Sequence, residues 1–225
     1  VVKFVVPAVM KSNAFIKSRG VGDTIVFGSY EKDNVAFNGK EDLEWVILDK
    51  QDDKMLIMTK ECVDAQIYNS TKFGTDGEFV NWGTCELRPW LNDTFFNDAF
   101  SAKEKVKVLT STVSADVNTK HESKPGADTE DKVFCLSVTE AEKYFTDDEA
   151  RMAAPSMYCT SCLLDLYGDD GSYDGGGSTA WFLRTPGTDD YSITYVTQDG
   201  EIDYEGQRHD YKKITVRPAV WISIK

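Results

Sequence analysis

A chain of 225 residues with 41% apolar residues and five tryptophans carries the material for one substantial core. Its formal net charge of −13 argues against nucleic acid and anionic membranes, because both need a cationic surface to displace counterions. Partners are expected to be neutral or basic.

In chain order, Val1 to Val9 is β-branched and reads as a strand. Lys3 and Pro7 interrupt this apolar stretch, which is too short to span a bilayer and carries no small-residue cleavage site. No membrane insertion is expected, and display at a cell or virion surface would depend on a partner. Gly22 to Tyr30 alternates polar and apolar residues as a strand does. Leu43–Asp49 and Lys54–Thr59 read as a hairpin turning at Gln51-Asp52-Asp53.

Helices follow. Trp82 to Asn92 has a candidate cap at Thr84, and Pro89 about a turn inside shortens or kinks it. Ser101/Glu104, Ser137/Glu140 and Thr146/Glu149 are spaced as capping boxes, each opening a helix. Ser114 to Lys132 and Tyr167 to Ser178 are polar or glycine-rich and read as loops. Strands return in WFLRT, YSITYVT, EIDYE and ITVRPAVWISI, with a hairpin turn at Gln198-Asp199-Gly200. This order predicts a single α+β domain over residues 1–225, with two or three helices on one side of a small twisted antiparallel sheet.

Catalytic signatures are sparse. The two histidines, His121 and His209, neighbour no nucleophile elbow, and there is no phosphate loop or dinucleotide fingerprint. Cys159 and Cys162 form a lone CxxC, too few ligands for tetrahedral zinc. Asp169, Asp170 and Asp174 could make a loose Ca²⁺ loop but lack EF-hand spacing, and no cofactor is expected. Arg184 and Arg217 each sit in an apolar strand and read, with Trp181 and Trp221, as structural anchors.

The ordered set Trp82, Leu87-Arg88, Trp90-Leu91-Asn92, Ala99-Phe100-Ser101, Glu104, Asp131-Lys132-Val133-Phe134, Leu136-Ser137, Glu140-Ala141, Arg151, Pro155, Trp181, Leu183-Arg184, Pro186-Gly187, Asp199-Gly200 and Val216-Arg217-Pro218-Ala219 resembles a bacterial domain family of unassigned function. That family runs W…LR.WLN..F…AFS..E, D.VFLLS..EA, WWLRSPG…DG…VRPALW, and the resemblance extends from about Gly22 to the C-terminus. The family is similar to C-type-lectin-fold domains of the formylglycine-generating-enzyme type and to the variable proteins of diversity-generating retroelements. The resemblance implies a C-type-lectin-like core with Val1–Val9 paired beside Val216–Ile224, and a ligand surface just before the last strand. It also implies an alternative, an oxidase using Cys159 and Cys162 with copper or a disulfide.

The segment Gly187 to Lys213 lies between WFLRTPG and VRPAVW and is rich in Tyr, Asp, Ser and Thr, the composition of a paratope. Asp189, Asp190, Tyr191, Tyr195, Asp203, Tyr204, Arg208, His209 and Tyr211 are expected to meet a protein or glycan ligand, with Val196 and Ile202 facing the core. In retroelement variable proteins, mutated Asn codons scatter into residues like those of Asp189 to Tyr195. A non-catalytic binding module, monomeric rather than oligomeric, is the expected function, and a structural assembly domain is a further alternative.

Overall fold

The computed structural model describes residues 8–70, 80–167 and 177–225. Ala8–Lys11 forms a 3-10 turn and Asn13–Lys17 a short helix, α1, capped by Ser12. Strands β1 (Thr24–Tyr30), β2 (Glu41–Lys50) and β3 (Lys54–Thr59) follow as an antiparallel meander.

A continuous helical run comes next: α2 (Leu87–Pro89), a π-helical turn (Trp90–Phe95) and α3 (Phe96–Ala99). Pro89 lacks the N–H that an α-helix needs, and the helix widens into the π turn directly after it. The helix therefore begins later than expected and runs further. Thr84 does not cap it; its hydroxyl closes a local turn with Asn81 instead.

Then come α4 (Ala102–Lys105), β4 (Ser111–Val113), β5 (Thr129–Asp131), β6 (Val133–Phe134), α5 (Val138–Tyr144), α6 (Asp148–Arg151) and α7 (Met157–Tyr167). The Ser101 and Ser137 capping boxes both form. The third cap moves by one residue: the Asp147 carboxylate, not the Thr146 hydroxyl, accepts the Ala150 N–H at 2.8 Å. The chain closes with β7 (Trp181–Pro186), β8 (Ser192–Val196), β9 (Ile202–Arg208) and β10 (Ala219–Ser223).

The fold is α+β with antiparallel sheets. The larger sheet runs β1-β2-β3-β10-β6, a second pairs β7-β8-β9, and β4 pairs β5. The C-terminal strand lies inside its sheet: β10 pairs with β3 on one side and with β6 on the other, where Val108 also bridges to Ile222. The expected pairing of Val1–Val9 with this strand concerns residues of which Val1–Pro7 lie outside those described.

Buried apolar side chains of both larger sheets belong to one contiguous cluster that includes Trp45, Phe95, Trp181 and Phe182. Two motif residues brace it. Asn92 donates to Arg88 O (3.0 Å) and Val133 O (2.9 Å) and accepts from Lys132 N (2.8 Å) and Val133 N (3.2 Å), fastening the π turn to β6. Buried Asp131 accepts from Trp82 Nε1 (2.8 Å), Arg88 Nε (2.7 Å) and the Thr129 hydroxyl. The spacing of WGTCELRPWLN and DKVF is thus a packing device.

Candidate functional site

The base of the Gly187–Lys213 segment is held by two buried arginines. Arg184 on β7 donates to Ser114 O (3.2 and 3.1 Å) and Cys135 O (2.9 Å), pairs with Glu140 at the start of α5, and lies 3.6 Å from Asp116. Arg217 donates to Thr59 O (2.9 Å), Arg151 O (3.1 Å) and Lys60 O (3.4 Å), and its guanidinium covers the rings of Trp181 and Phe145. Burial pushes the Arg217 pKa down. Carbonyl dipoles and ring faces compensate its charge. Trp181 is fully buried and donates to Arg151 O at 3.1 Å. Trp221 is half-buried under the Lys54 ammonium.

Two glycines fix the segment's path. Gly187 lies against the Glu205 backbone, where no side chain fits. Gly200, at φ 85°, lets the β8–β9 turn press on Asp148 of α6, and its carbonyl receives Arg151 Nε at 2.8 Å.

Strand alternation then distributes the expected ligand residues over different faces. Tyr195 and Asp203 are cross-strand neighbours joined by a 2.8 Å hydrogen bond, and burial with that bond raises the Tyr195 pKa. Tyr204 faces the other way: its hydroxyl donates to Glu142 at 2.8 Å and Lys120 covers its ring. Asp189 and Asp190 are exposed and line a cleft of about 240 Å³ with Glu122 and Lys124. Tyr191 is exposed, and Arg208 makes a two-pronged ion pair with Asp210 at 3.0 and 2.9 Å. Val196 is buried and Ile202 packs against the core, both as expected.

His209 requires a correction. It is 2% exposed, and its Nδ1 lies 2.6 Å from Asn69 O, so it clamps the segment to the residue-69 loop and cannot face a ligand. Ser192, Ile193 and Thr194 are also buried, with the Thr194 hydroxyl donating to Thr185 O at 2.8 Å. The middle of the Asp189–Tyr195 run therefore belongs to the core.

A larger cleft, about 440 Å³, opens beside the β8–β9 hairpin. From the expected Gly187–Lys213 segment come Tyr195, Gln207, Tyr211 and Lys213, together with Thr197, Gln198 and Asp199 of its hairpin turn. Leu163 of α7 and Ile214 supply apolar wall. Of these, only Tyr195 and Tyr211 were expected in the site. Gln207 and Leu163 carried no compositional signal, since neutral amides and a helical leucine are common everywhere, and Thr197 counted only towards the segment's composition as a whole.

The thiols are held in their protonated form. Burial pushes Cys62 and Cys162 up to about 11 and Cys85 to about 12, and raises Cys135 and Cys159 as well. Nucleophilic cysteines show the opposite shift. Near Cys162 lies a buried carboxylate, Asp64, which accepts from Tyr30 (2.6 Å), Ala65 N (2.7 Å) and Gln66 (3.1 Å); burial raises its pKa. The carboxylates of Glu31, Asp33 and Glu41 approach within 4.8 Å of one another and could meet a cation, yet backbone N–H groups of Lys32 and Val35 already bind them. The loop bearing Asp169, Asp170 and Asp174, read as a loose Ca²⁺ site, lies outside the described residues.

A family model described as "Domain of unknown function (DUF6273)" matches residues 52–224, and the chain belongs to that family. No curated protein and no solved structure matches it.

Proposed function

We propose that this DUF6273 member is a non-catalytic ligand-binding module of C-type-lectin-like type, and that its ligand meets the Gly187–Lys213 segment. One observation carries the reading: a cleft of about 440 Å³ gathers Tyr195 and Gln207 of the β7-β8-β9 sheet with Tyr211 just beyond β9, on a scaffold fastened by the buried Arg184 and Arg217. Clefts of this size on a fixed scaffold are where small ligands and partner side chains are enclosed. Asp189, Asp190 and Tyr191 extend the same segment to an exposed tip. In this reading, any retroelement-type diversification is confined to exposed or half-buried positions, since changes at Ile193 or Thr194 would disturb the core.

Oxidation at Cys159 and Cys162 is the less favoured reading, because Cys159 is buried and both thiols are pushed above their ordinary range. Thiol titration of the native chain, with and without copper, separates the two. Slow labelling that copper leaves unchanged is expected; rapid copper-dependent loss of both thiols would favour the oxidase. Sedimentation tests assembly: a stable oligomer lost on Tyr191→Ala would replace ligand binding by self-association.

A further inference from the structure

We infer that a second cleft, between the π turn and β5, is a site for a tetrahedral oxyanion: phosphate or a phosphate monoester. Its volume is about 280 Å³, and Arg88, Asn92, Thr110 and Lys132 are among the residues that line it. It shares no lining residue with the cleft beside the β8–β9 hairpin and does not depend on the reading of that cleft.

The charge comes from two lysines. In a chain of net charge −13, Lys11, Lys32, Lys40, Lys60 and Lys225 each pair with a carboxylate. Lys132 and Lys105 make no such pair among the described residues. Their ammonium groups lie instead 4.4 and 5.5 Å from the centroid of one ring, that of buried Phe96 on α3. The carboxylates around them are engaged elsewhere. Asp131 lies buried beneath Arg88 and balances it, and Glu130 takes the Thr112 hydroxyl across the β4–β5 pair at 2.6 Å. Asp93 takes the Asn97 amide, and Asp98 pairs with Lys40. The ammonium groups of Lys132 and Lys105 therefore stand as a local cationic spot on an acidic surface, where an anion gains most.

Donor geometry selects the kind of anion. Arg88 spends Nε on Asp131 (2.7 Å) and Nη2 on Glu130 O (3.4 Å), which leaves Nη1 for the cleft. The two-pronged fork that matches a planar carboxylate is thus occupied. What remains is a set of single donors on separate elements: Arg88 Nη1 from α2, the Lys132 ammonium from the β5–β6 junction, and the exposed Thr110 hydroxyl before β4. Divergent single donors suit the diverging oxygens of a tetrahedral ion, and an ammonium serves it as a point charge.

The walls are fixed in advance. Asn92 accepts the Lys132 N–H at 2.8 Å and donates to Val133 O at 2.9 Å, so the backbone carrying Lys132 is fastened to the helix carrying Arg88. Little ordering is left for an incoming ion to impose. The cleft is open, so a phosphate group can enter with the rest of its molecule in solvent.

The test titrates the intact chain, at constant ionic strength, with sodium phosphate, with the peptide acetyl-Ala-phosphoSer-Ala-amide and with sodium acetate. Backbone ¹⁵N shifts and the lysine ammonium resonances provide the reading. Phosphate is expected to saturate the Arg88, Asn92 and Lys132 signals with a Kd of about 1 mM, and acetate should leave them unmoved at the same concentrations. Lys132→Gln should weaken phosphate binding about tenfold without lowering the melting temperature, while Lys132→Arg should retain it. Lys105→Gln should weaken it about threefold, and Lys143→Gln, whose ammonium lies on Tyr144, should not change it. Saturation by the phosphopeptide as well as by phosphate identifies a monoester as a ligand, and saturation by phosphate alone identifies the free ion. If neither saturates, or if Lys132→Gln binds as the parent does, the site does not exist. Equal saturation by acetate would overturn the tetrahedral assignment.

Discussion

Replacing Gly200 by Ala isolates the contact that seats the β8–β9 turn on the scaffold. Gly200 has φ 85°, and an added methyl would fall well inside contact of Asp148 O and 3.1 Å from Asp148 Cα. A left-handed backbone costs an alanine about 1–2 kcal/mol. Relief of the clash moves α6, which disturbs the Arg151 Nε bond to Gly200 O (2.8 Å); a bond to a charged donor contributes about 1.5–3 kcal/mol. The Arg151 carbonyl also receives Trp181 and Arg217, so the displacement reaches both anchors. The expected total is about 3–5 kcal/mol, or about 6–20 °C in melting temperature for a chain of this size. Gly39→Ala is the control: its φ is 77°, but nothing lies within 4 Å of the added methyl, so only the backbone cost applies. Melting curves of both variants by circular dichroism give the comparison. Equal losses for Gly200→Ala and Gly39→Ala would refute the claim that close packing on α6 holds the turn.

Two further outcomes follow from buried polar groups. Burial raises the Asp64 pKa above 3.8, so the folded state holds its proton to higher pH than the unfolded chain does. Stability from this group is therefore present below 3.8 and lost as pH rises through the folded value. Asp64→Asn, which cannot ionise, should gain stability relative to the parent as pH rises above 3.8 in urea titrations, and a gap independent of pH would contradict this. Asn92→Ala removes four hydrogen bonds, three of them from the π turn to Lys132 and Val133, and should cost about 2–4 kcal/mol; a loss below about 1 kcal/mol in the same urea assay would show that those backbone groups find other partners.

What could be read from residues alone was local. Ser101/Glu104 and Ser137/Glu140 announce their helices because a capping box is complete within four residues. Lys54–Thr59 and the Gly200 turn were readable for the same reason. Arg184 and Arg217 declare themselves as anchors through their apolar neighbours, but their acceptors lie 49 to 158 residues away for Cys135, Arg151 and Thr59, beyond any local pattern. Helix α7 went unread because MYCTSCLLDLY mixes Thr, Ser and Cys, weak helix formers, with apolar residues on no single stripe. His209 looked like a ligand residue by composition; its direction is set by Asn69, 140 positions earlier. The cleft was half legible, since tyrosines are conspicuous while Thr197 and Gln207 matter only through where the sheet places them.

The most direct test of the account is to map, by backbone and side-chain NMR shifts, which residues respond when methyl glycosides or tripeptides are titrated into the intact chain. Responses centred on Tyr195, Thr197, Gln207 and Tyr211, with Cys159 and Cys162 unmoved, are the predicted result. Responses centred on those two cysteines and Asp64, with the hairpin silent, would contradict it.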